Sequence, residues 1–148
     1  MSNEIQTHGS TLLQNGYQIV PIRNGLKHPC TEGWQNMRLG ADDLAKYAGN
    51  GVGVLCGIGP NPIVAIDVDV YDEALAARFS TWCQDTFGMT CERVGQAPKV
   101  LLAYRITSEN LGKSSSAKFE YKDNQFHRVE VLCRGQQFVA YHTHPTTG

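Results

Sequence analysis

The sequence has almost no surplus of charge, because 13 lysines and arginines stand against 14 aspartates and glutamates, for a formal net charge of −1. Such a chain cannot bind nucleic acid through its overall charge, so contact with a polyanion requires a local basic patch or a metal ion. Paired cysteine motifs are also missing, since none of the 5 cysteines forms a CxxC pair. Their absence argues against a zinc knuckle and against a disulfide framework.

Long apolar runs are absent as well. No segment has the length and composition of a membrane span or of a signal peptide. We therefore expect a soluble, cytoplasmic protein with no membrane contact. With 148 residues, of which 41% are hydrophobic, the chain has the size of one domain with one core.

Apolar alternation and clusters of Gly, Pro and Asn divide the chain into predicted elements. We expect strands over residues 17–22, 51–56, 63–70, 90–94, 100–106, 117–121, 128–133 and 136–141, and helices up to residue 13, over 41–48 and over 71–87. The Gly- and Pro-rich segment 57–62 predicts a hairpin between the second and third strands. In the last helix, Leu75, Phe79 and Trp82 recur at helical spacing and should face the core. The pattern favours an α+β fold, with helices on one face of a largely antiparallel sheet and the other face open.

Two carboxylates stand in the strand segment Ala65-Ile-Asp-Val-Asp-Val70. Residues i and i+2 of a strand point to the same face, so Asp67 and Asp69 project together and the apolar row points the other way. A cation between the two carboxylates would relieve their repulsion, and oxygen ligands of this kind suit Mg²⁺ or Mn²⁺. The alternative is a solvated acidic pair that lysines balance.

Glu130 is a second acid in the middle of a predicted strand. If its strand lies beside residues 63–70, Glu130 joins Asp67 and Asp69 in a three-carboxylate site. The alternative is an ordinary salt bridge to Arg128 or to a basic residue of a neighbouring strand.

Several segments, taken together and in order, extend this interpretation. They are residues 13–22, 25–29, 33–35, 51–57, 65–70, 97–99, 101–105, 129–132 and 135–141, followed by His144-Pro145. The chain resembles, over these segments, the bifunctional DNA primase/polymerase domain of phage, prophage and plasmid replication proteins, which belongs to the archaeo-eukaryotic primase superfamily. The resemblance implies a primase/polymerase catalytic domain over residues 1–148, with a small N-terminal α/β unit (1–50) and an RRM-like palm (51–148). The family's domain normally continues further, so we expect its C-terminal part to be lacking here.

The resemblance also implies a reaction, in which a 3′-hydroxyl attacks the α-phosphate of an incoming nucleotide. It places Asp67 and Asp69 in the family's first motif and Glu130 in its third, as catalytic ligands of Mg²⁺ or Mn²⁺. The family's second motif normally carries a histidine, but this chain has Ala97-Pro-Lys99 there. We therefore expect Lys99 to contact the triphosphate.

Further contacts and partners follow from the same resemblance. Arg105 and His144 are expected to be additional nucleotide-binding residues. The implied partners are a DNA template, a (d)NTP and a replicative helicase domain or protein.

Two other functions remain open at this point. A metal-dependent phosphodiesterase would use the same carboxylates, and a water-activating His127 or His142 would favour it. A palm that binds nucleotide or DNA without catalysis is the other alternative. Tyr17 and Trp34 are candidates either for stacking on bases or for packing inside the protein.

Overall fold

The structure, a computed structural model, describes residues 3–107 and 111–142. The described residues form α1 (Glu4–Gln14), β1 (Ile19–Ile22), 3-10 helices at Trp34–Asn36 and Ala41–Tyr47, β2 (Gly51–Leu55), β3 (Ile63–Asp69), α2 (Glu73–Phe87), β4 (Glu92–Arg93), β5 (Val100–Arg105), β6 (Ser114–Ser115), β7 (Phe119–Glu120), β8 (Phe126–Leu132) and β9 (Gln137–Tyr141). All eight predicted strands are present with shorter or shifted ends. The additional strand, β6, lies in a segment whose polar composition gave no strand signal.

The larger sheet has β3 at its centre. Its strands follow the order β4-β5-β3-β8-β6, with β7 paired to β8 at one side, and every pairing is antiparallel. In the first half of β3, successive apolar residues such as Val64 and Ala65 point to opposite faces of the sheet, and both are buried. Burial on both faces favours a central position for this strand. The structure confirms a mixed α+β fold with a largely antiparallel sheet.

Helix α2 covers one face of this sheet. Asp72 caps its N-terminus with a carboxylate that accepts a hydrogen bond of 2.8 Å from the Leu75 N–H, and Gly88 caps its C-terminus. Its buried residues are Ala76, Ser80 and Cys83. Ala76 and Cys83 belong to the same buried cluster as Ile66 and Val68, the apolar residues of β3 that point away from the acidic pair. No helix in the described ranges is long and apolar enough to cross a membrane.

The predicted core face of α2 is wrong in part. Phe79 packs against the sheet, but Leu75 and Trp82 are 37% and 54% exposed. Small side chains occupy the contact instead, because they let the helix axis approach the sheet closely. The larger apolar residues lie at the flank, where Trp82 packs edge-on against Phe79.

A smaller sheet, in the order β1-β2-β9, packs against part of the other face. Helix α1 joins it through Ile5, which belongs to the same buried cluster as Ile19 of β1 and Ala65 of β3. The second face of the large sheet is therefore covered at the end near Ala65. The end that carries Asp67 and Asp69 borders a cleft.

The predicted hairpin between β2 and β3 is wrong, because the two strands belong to different sheets. After β2 the chain pairs with the start of β9, where the Cys56 N–H donates to the Gln136 carbonyl at 2.9 Å. It then turns at Gly57, whose φ is 67° and where a Cβ would come within 2.7 Å of the Arg134 backbone nitrogen. A glycine is required here by both the left-handed backbone and the close contact.

Candidate active site

The acidic pair of β3 faces a cleft of about 420 Å³ between the two sheets. Asp67 and Asp69 line one wall, and the loop from Arg93 to Val100 lines the second. Residues of β9 and the side chains of Lys27 and His142 complete the lining. The predicted projection of the two aspartates to one face, away from the apolar row under α2, is confirmed.

Asp67 lies between two neighbouring strands, opposite Leu101 of β5 and Glu130 of β8. Burial raises the pKa of the Asp67 carboxyl, and the negative charge of Asp69 raises it further. The nearby guanidinium of Arg93 acts in the opposite direction but does not cancel the effect. Asp67 therefore carries a charge that its protein surroundings only partly compensate.

Asp69 is paired with Lys99, whose Nζ lies 2.6 Å from the Oδ1 of Asp69. The same ammonium group lies 3.9 Å from the centre of the Tyr71 ring. Burial lowers the pKa of Lys99, but hydrogen bonds to Asp69 and Tyr71 outweigh burial, so the pKa is raised overall. Lys99 thus lies beside the acidic pair as a positive charge, while its contact with a triphosphate stays a prediction.

Glu130 is adjacent to Asp67 across the β3–β8 pairing, so the predicted neighbourhood of the two strands is confirmed. Its carboxylate is buried, with Oε2 lying 2.6 Å from Arg128 and Oε1 lying 3.0 Å from Lys113. The alternative interpretation, an ion pair with Arg128, is therefore also correct. Glu130 is next to the acidic pair in the sheet, while its oxygens contact basic side chains and it is not part of the cleft lining.

Arg93 is the cleft residue that sequence reasoning missed. It lies opposite Leu101 in the β4–β5 pairing, which puts its side chain on the same face as Asp67. Its Nε is buried and has no hydrogen-bond partner in the described part of the chain. Burial lowers the pKa of the guanidinium and Asp67 opposes that effect. The only signal in the sequence was an arginine inside a predicted strand, and the partner of that strand was unknown.

The strand β4 that carries Arg93 is tied to helix α2. The side chain of Glu92 accepts hydrogen bonds from the Ser80 hydroxyl and from Gln84 Nε2, the latter at 3.0 Å. Because neighbouring strand residues point to opposite faces, this attachment holds Glu92 against the helix and directs Arg93 to the cleft.

Arg105 is not brought to the acidic pair. It lies at the other end of β5, opposite Ile63, where its guanidinium carbon is 5.4 Å from the centre of the Tyr17 ring. Tyr17 packs against the buried cluster of the small sheet and Trp34 against a neighbouring one, so both aromatic residues have packing contacts. His144 lies outside the described residues.

His142 lies in the cleft and holds a loop beside it. Its Nε2 accepts a hydrogen bond of 3.1 Å from the Gly25 N–H, in the loop that also carries Lys27. The imidazole lies over Gly51, where a Cβ would come within 2.7 Å of the ring. His127, the other histidine considered for water activation, is outside the cleft lining and accepts a hydrogen bond from the Tyr71 N–H.

The donor set at the cleft fits a hard divalent cation. Asp67 and Asp69 offer carboxylate oxygens on one face, and burial, followed by the negative charge of Asp69, raises the pKa of Asp67, an effect that a bound cation would oppose. Among the residues that the structure describes, no three His, Cys, Asp or Glu side chains are gathered as a ready metal cluster. Two carboxylates with open positions are the arrangement that Mg²⁺ uses when substrate phosphates supply further ligands.

The arrangement can thus accept a cation and a polyphosphate together, because acids and basic side chains line the same cleft. A comparison with curated proteins gave no match. The family model described as the N-terminal domain of bifunctional DNA primase/polymerase matches residues 10–148. Since this match covers almost the whole sequence, the chain belongs to the bifunctional DNA primase/polymerase (Prim-Pol) family.

Proposed function

We propose that the chain is a metal-dependent nucleotidyltransferase that joins nucleotides on a DNA template. The observation that carries the proposal is the cleft, in which Asp67 and Asp69 face Arg93 and Lys99. A nucleotide triphosphate with a divalent cation needs both kinds of charge in one place. Membership of the Prim-Pol family supports DNA and nucleotides as the substrates.

In this proposal Asp67, Asp69 and Glu130 hold Mg²⁺ or Mn²⁺. A bound ion of this kind supplies Lewis-acid chemistry, polarising the phosphate and favouring ionisation of the attacking hydroxyl. Asp67 and Asp69 contribute because both face the cleft, and Glu130 contributes as the acid opposite Asp67 in the neighbouring strand. The role of Glu130 requires that its contacts with Lys113 and Arg128 loosen when substrate is bound.

The basic residues bind the triphosphate. Lys99 provides a compact charge next to Asp69, and Arg93 provides a planar guanidinium near Asp67 in the cleft lining. Both are partly withdrawn from water, so their attraction to phosphate is stronger than that of an exposed side chain. Lys27, on the loop fixed by His142, adds positive charge at the rim.

A second candidate function is a palm that binds nucleotide with little catalysis. The ion pairs that occupy both oxygens of Glu130 favour it, because they engage the third acid. In that case Asp67, Asp69 and Lys99 would still bind a nucleotide with its cation. Nucleotide binding without nucleotide transfer would then be observed.

Primer extension and de novo oligonucleotide synthesis with Mg²⁺ or Mn²⁺ test the proposal. The native chain is compared with Asp67→Asn/Asp69→Asn, which keeps side-chain size, and with Arg105→Ala, which lies outside the cleft. We expect extension by the native chain and by the Arg105 variant, and loss of at least about a hundredfold in the acid variant. Equal extension by all three would contradict the proposal, and primer shortening without added nucleotides would indicate a phosphodiesterase.

The cellular setting is also part of the proposal. We place the reaction in the cytoplasm, during phage- or plasmid-type replication, with a replicative helicase domain or protein as a partner. Nucleotides and template strands are available there, and the resemblance supports this context. Co-purification of the chain with a helicase from cells that carry the replicon is the corresponding test.

A further inference from the structure

A row of aromatic rings leads away from the acidic pair. It consists of Tyr71, His127, Tyr121 and Phe119, and we call it the aromatic strip. The ring centres of Tyr71 and His127 are 6.5 Å apart, and those of His127 and Tyr121 are 4.4 Å apart. Phe119 lies directly opposite His127 in the β7–β8 pairing, so the two side chains share a face. The four rings therefore form one continuous surface feature.

The aromatic strip begins at the catalytic acids. Lys99 connects the two, because its Nζ is 2.6 Å from Asp69 and 3.9 Å from the centre of the Tyr71 ring. The Tyr71 N–H donates to Nδ1 of His127 at 3.2 Å, which fixes the first two rings relative to each other. In the β3–β8 pairing Arg128 lies opposite Asp69, so the adjacent residue, His127, points to the α2 face of the sheet, and a ligand on the strip reaches Asp69 and Lys99 by passing around Tyr71.

The far end of the strip is exposed without a packing role. Phe119 is 61% exposed on a strand of only two residues. Burying a phenylalanine stabilises a protein, whereas one that remains in water contributes little to the fold. Internal stability therefore does not explain an aromatic residue at position 119.

Two lysines of the same segment lie beside the rings of the aromatic strip. Of the four basic side chains in residues 111–128, Lys113 and Arg128 pair with Glu130, so Lys118 and Lys122 are the two that remain beside the rings, in a segment that also carries Glu120 and Asp123. Lys122 lies 5.4 Å from the centre of the Tyr121 ring, and Lys118 precedes Phe119. Basic side chains interleaved with aromatic rings are the surface that single-stranded nucleic acid binds, with bases stacked on the rings and phosphates near the cations.

We propose that the aromatic strip binds the single-stranded part of a DNA template and guides it to the acidic pair. This inference rests on the proposed function for its choice of DNA. Bases stack on Phe119 and Tyr121, and Lys118 and Lys122 contact the phosphates. Stacking requires unpaired bases, so the strip selects single strands over duplex.

Fluorescence anisotropy with a labelled oligothymidylate of 20 nucleotides tests this surface. EDTA is present, so no catalysis occurs and the acids are not tested. The variants are Phe119→Ala and Tyr121→Ala, and the matched control is Phe87→Ala, an aromatic residue of α2 that is 54% exposed. We expect each strip variant to raise the Kd about fivefold or more and the control to stay within about twofold. Lys122→Gln should lower the slope of log K against log salt concentration by roughly 0.7.

The outcomes separate this surface from the catalytic site. An unchanged Kd in Phe119→Ala, equal affinity for a duplex of the same length, or no binding by the native chain would overturn the strip. Because Phe119 is exposed, its variant remains informative even if Tyr121→Ala unfolds. Weakened binding in the strip variants together with failed primer extension would support the strip and reject the catalytic proposal. Normal extension that depends on Asp67 and Asp69, together with unchanged DNA affinity in the strip variants, would support the catalytic proposal and reject the strip.

Discussion

Burial couples the charges of Arg93 and Asp67. It lowers the pKa of the guanidinium and raises the pKa of the carboxyl, and each group offsets the effect on the other. Neither finds full compensation in the described protein, since Asp67 also faces Asp69 and the Nε of Arg93 has no partner there. At the scale of single residues, the cleft therefore contains a carboxylate and a guanidinium that can still bind a cation and an anion.

Arg93→Ala should weaken nucleotide binding selectively. A charge-assisted hydrogen bond to phosphate contributes about 1.5–3 kcal/mol, so kcat/KM for the nucleotide should fall at least about tenfold, mainly through a higher KM. Steady-state extension over a range of nucleotide concentrations measures this change, with Arg105→Ala as the matched control. Equal losses in the two variants would argue against a special role for Arg93.

Asp67→Asn should stabilise the metal-free protein at neutral pH. Because the pKa of Asp67 is raised in the folded state, ionisation destabilises the fold above that pKa, whereas below the ordinary value of about 3.9 both states are protonated and the penalty vanishes. In EDTA the variant should melt higher than the native chain at pH 7, by about 2–4 °C per kcal/mol gained, and the difference should shrink towards pH 3.5. A variant that melts lower at pH 7 would contradict this sign.

Individual elements could be predicted better than their contacts. The alternation in residues 63–70 identified β3 and the shared direction of Asp67 and Asp69, because strand geometry fixes that direction locally. The ends of α2 were visible from Asp72 and Gly88. Its packing face was not, since the pattern of large apolar residues pointed to Leu75 while the sheet accepts the small Ala76. Close helix–sheet contact favours small residues, which carry little signal in a hydrophobic pattern.

Two glutamine substitutions distinguish these faces of α2. Leu75→Gln changes a side chain that is 37% exposed, whereas Ala76→Gln forces a larger polar group into a position that is 2% exposed. We expect a cost of under about 1 kcal/mol for the first and about 2–4 kcal/mol for the second. Urea unfolding of both variants measures this, and the helix propensities of Leu, Ala and Gln differ by less than about 0.7 kcal/mol. A larger loss of stability in Leu75→Gln than in Ala76→Gln would indicate that the face predicted from the sequence packs against the sheet.

The whole molecule depends on pairings between distant segments. β2 joins β1 and β9 instead of β3, and the connections near Gly57 and Arg134 cross between sheets at one corner. A local turn signal cannot reveal such crossings, so the sequence predicted a hairpin there. For the same reason Arg93 was missed and Arg105 was placed at the site, although the two arginines lie near opposite ends of the β4–β5 region. The cleft exists only because the two sheets meet.

Divalent cations should stabilise this assembled cleft. A ligand that binds only the folded state at a hundred times its Kd adds about 2.7 kcal/mol, which corresponds to a rise of roughly 5–10 °C in Tm. We expect this rise with Mg²⁺ or Mn²⁺ in the native chain and not in Asp67→Asn/Asp69→Asn. Thermal unfolding at constant ionic strength measures it. The same rise in both proteins would place the cation elsewhere.

The central claim is that the acidic pair of β3 performs nucleotide transfer. Incorporation of a single nucleotide into a labelled primer on a template, followed over time with Mn²⁺ or Mg²⁺, tests it most directly. We predict incorporation of the complementary nucleotide by the native chain, none in EDTA, and a rate at least about a hundredfold lower in Asp67→Asn and in Asp69→Asn. Incorporation at the native rate by either aspartate variant would contradict the claim.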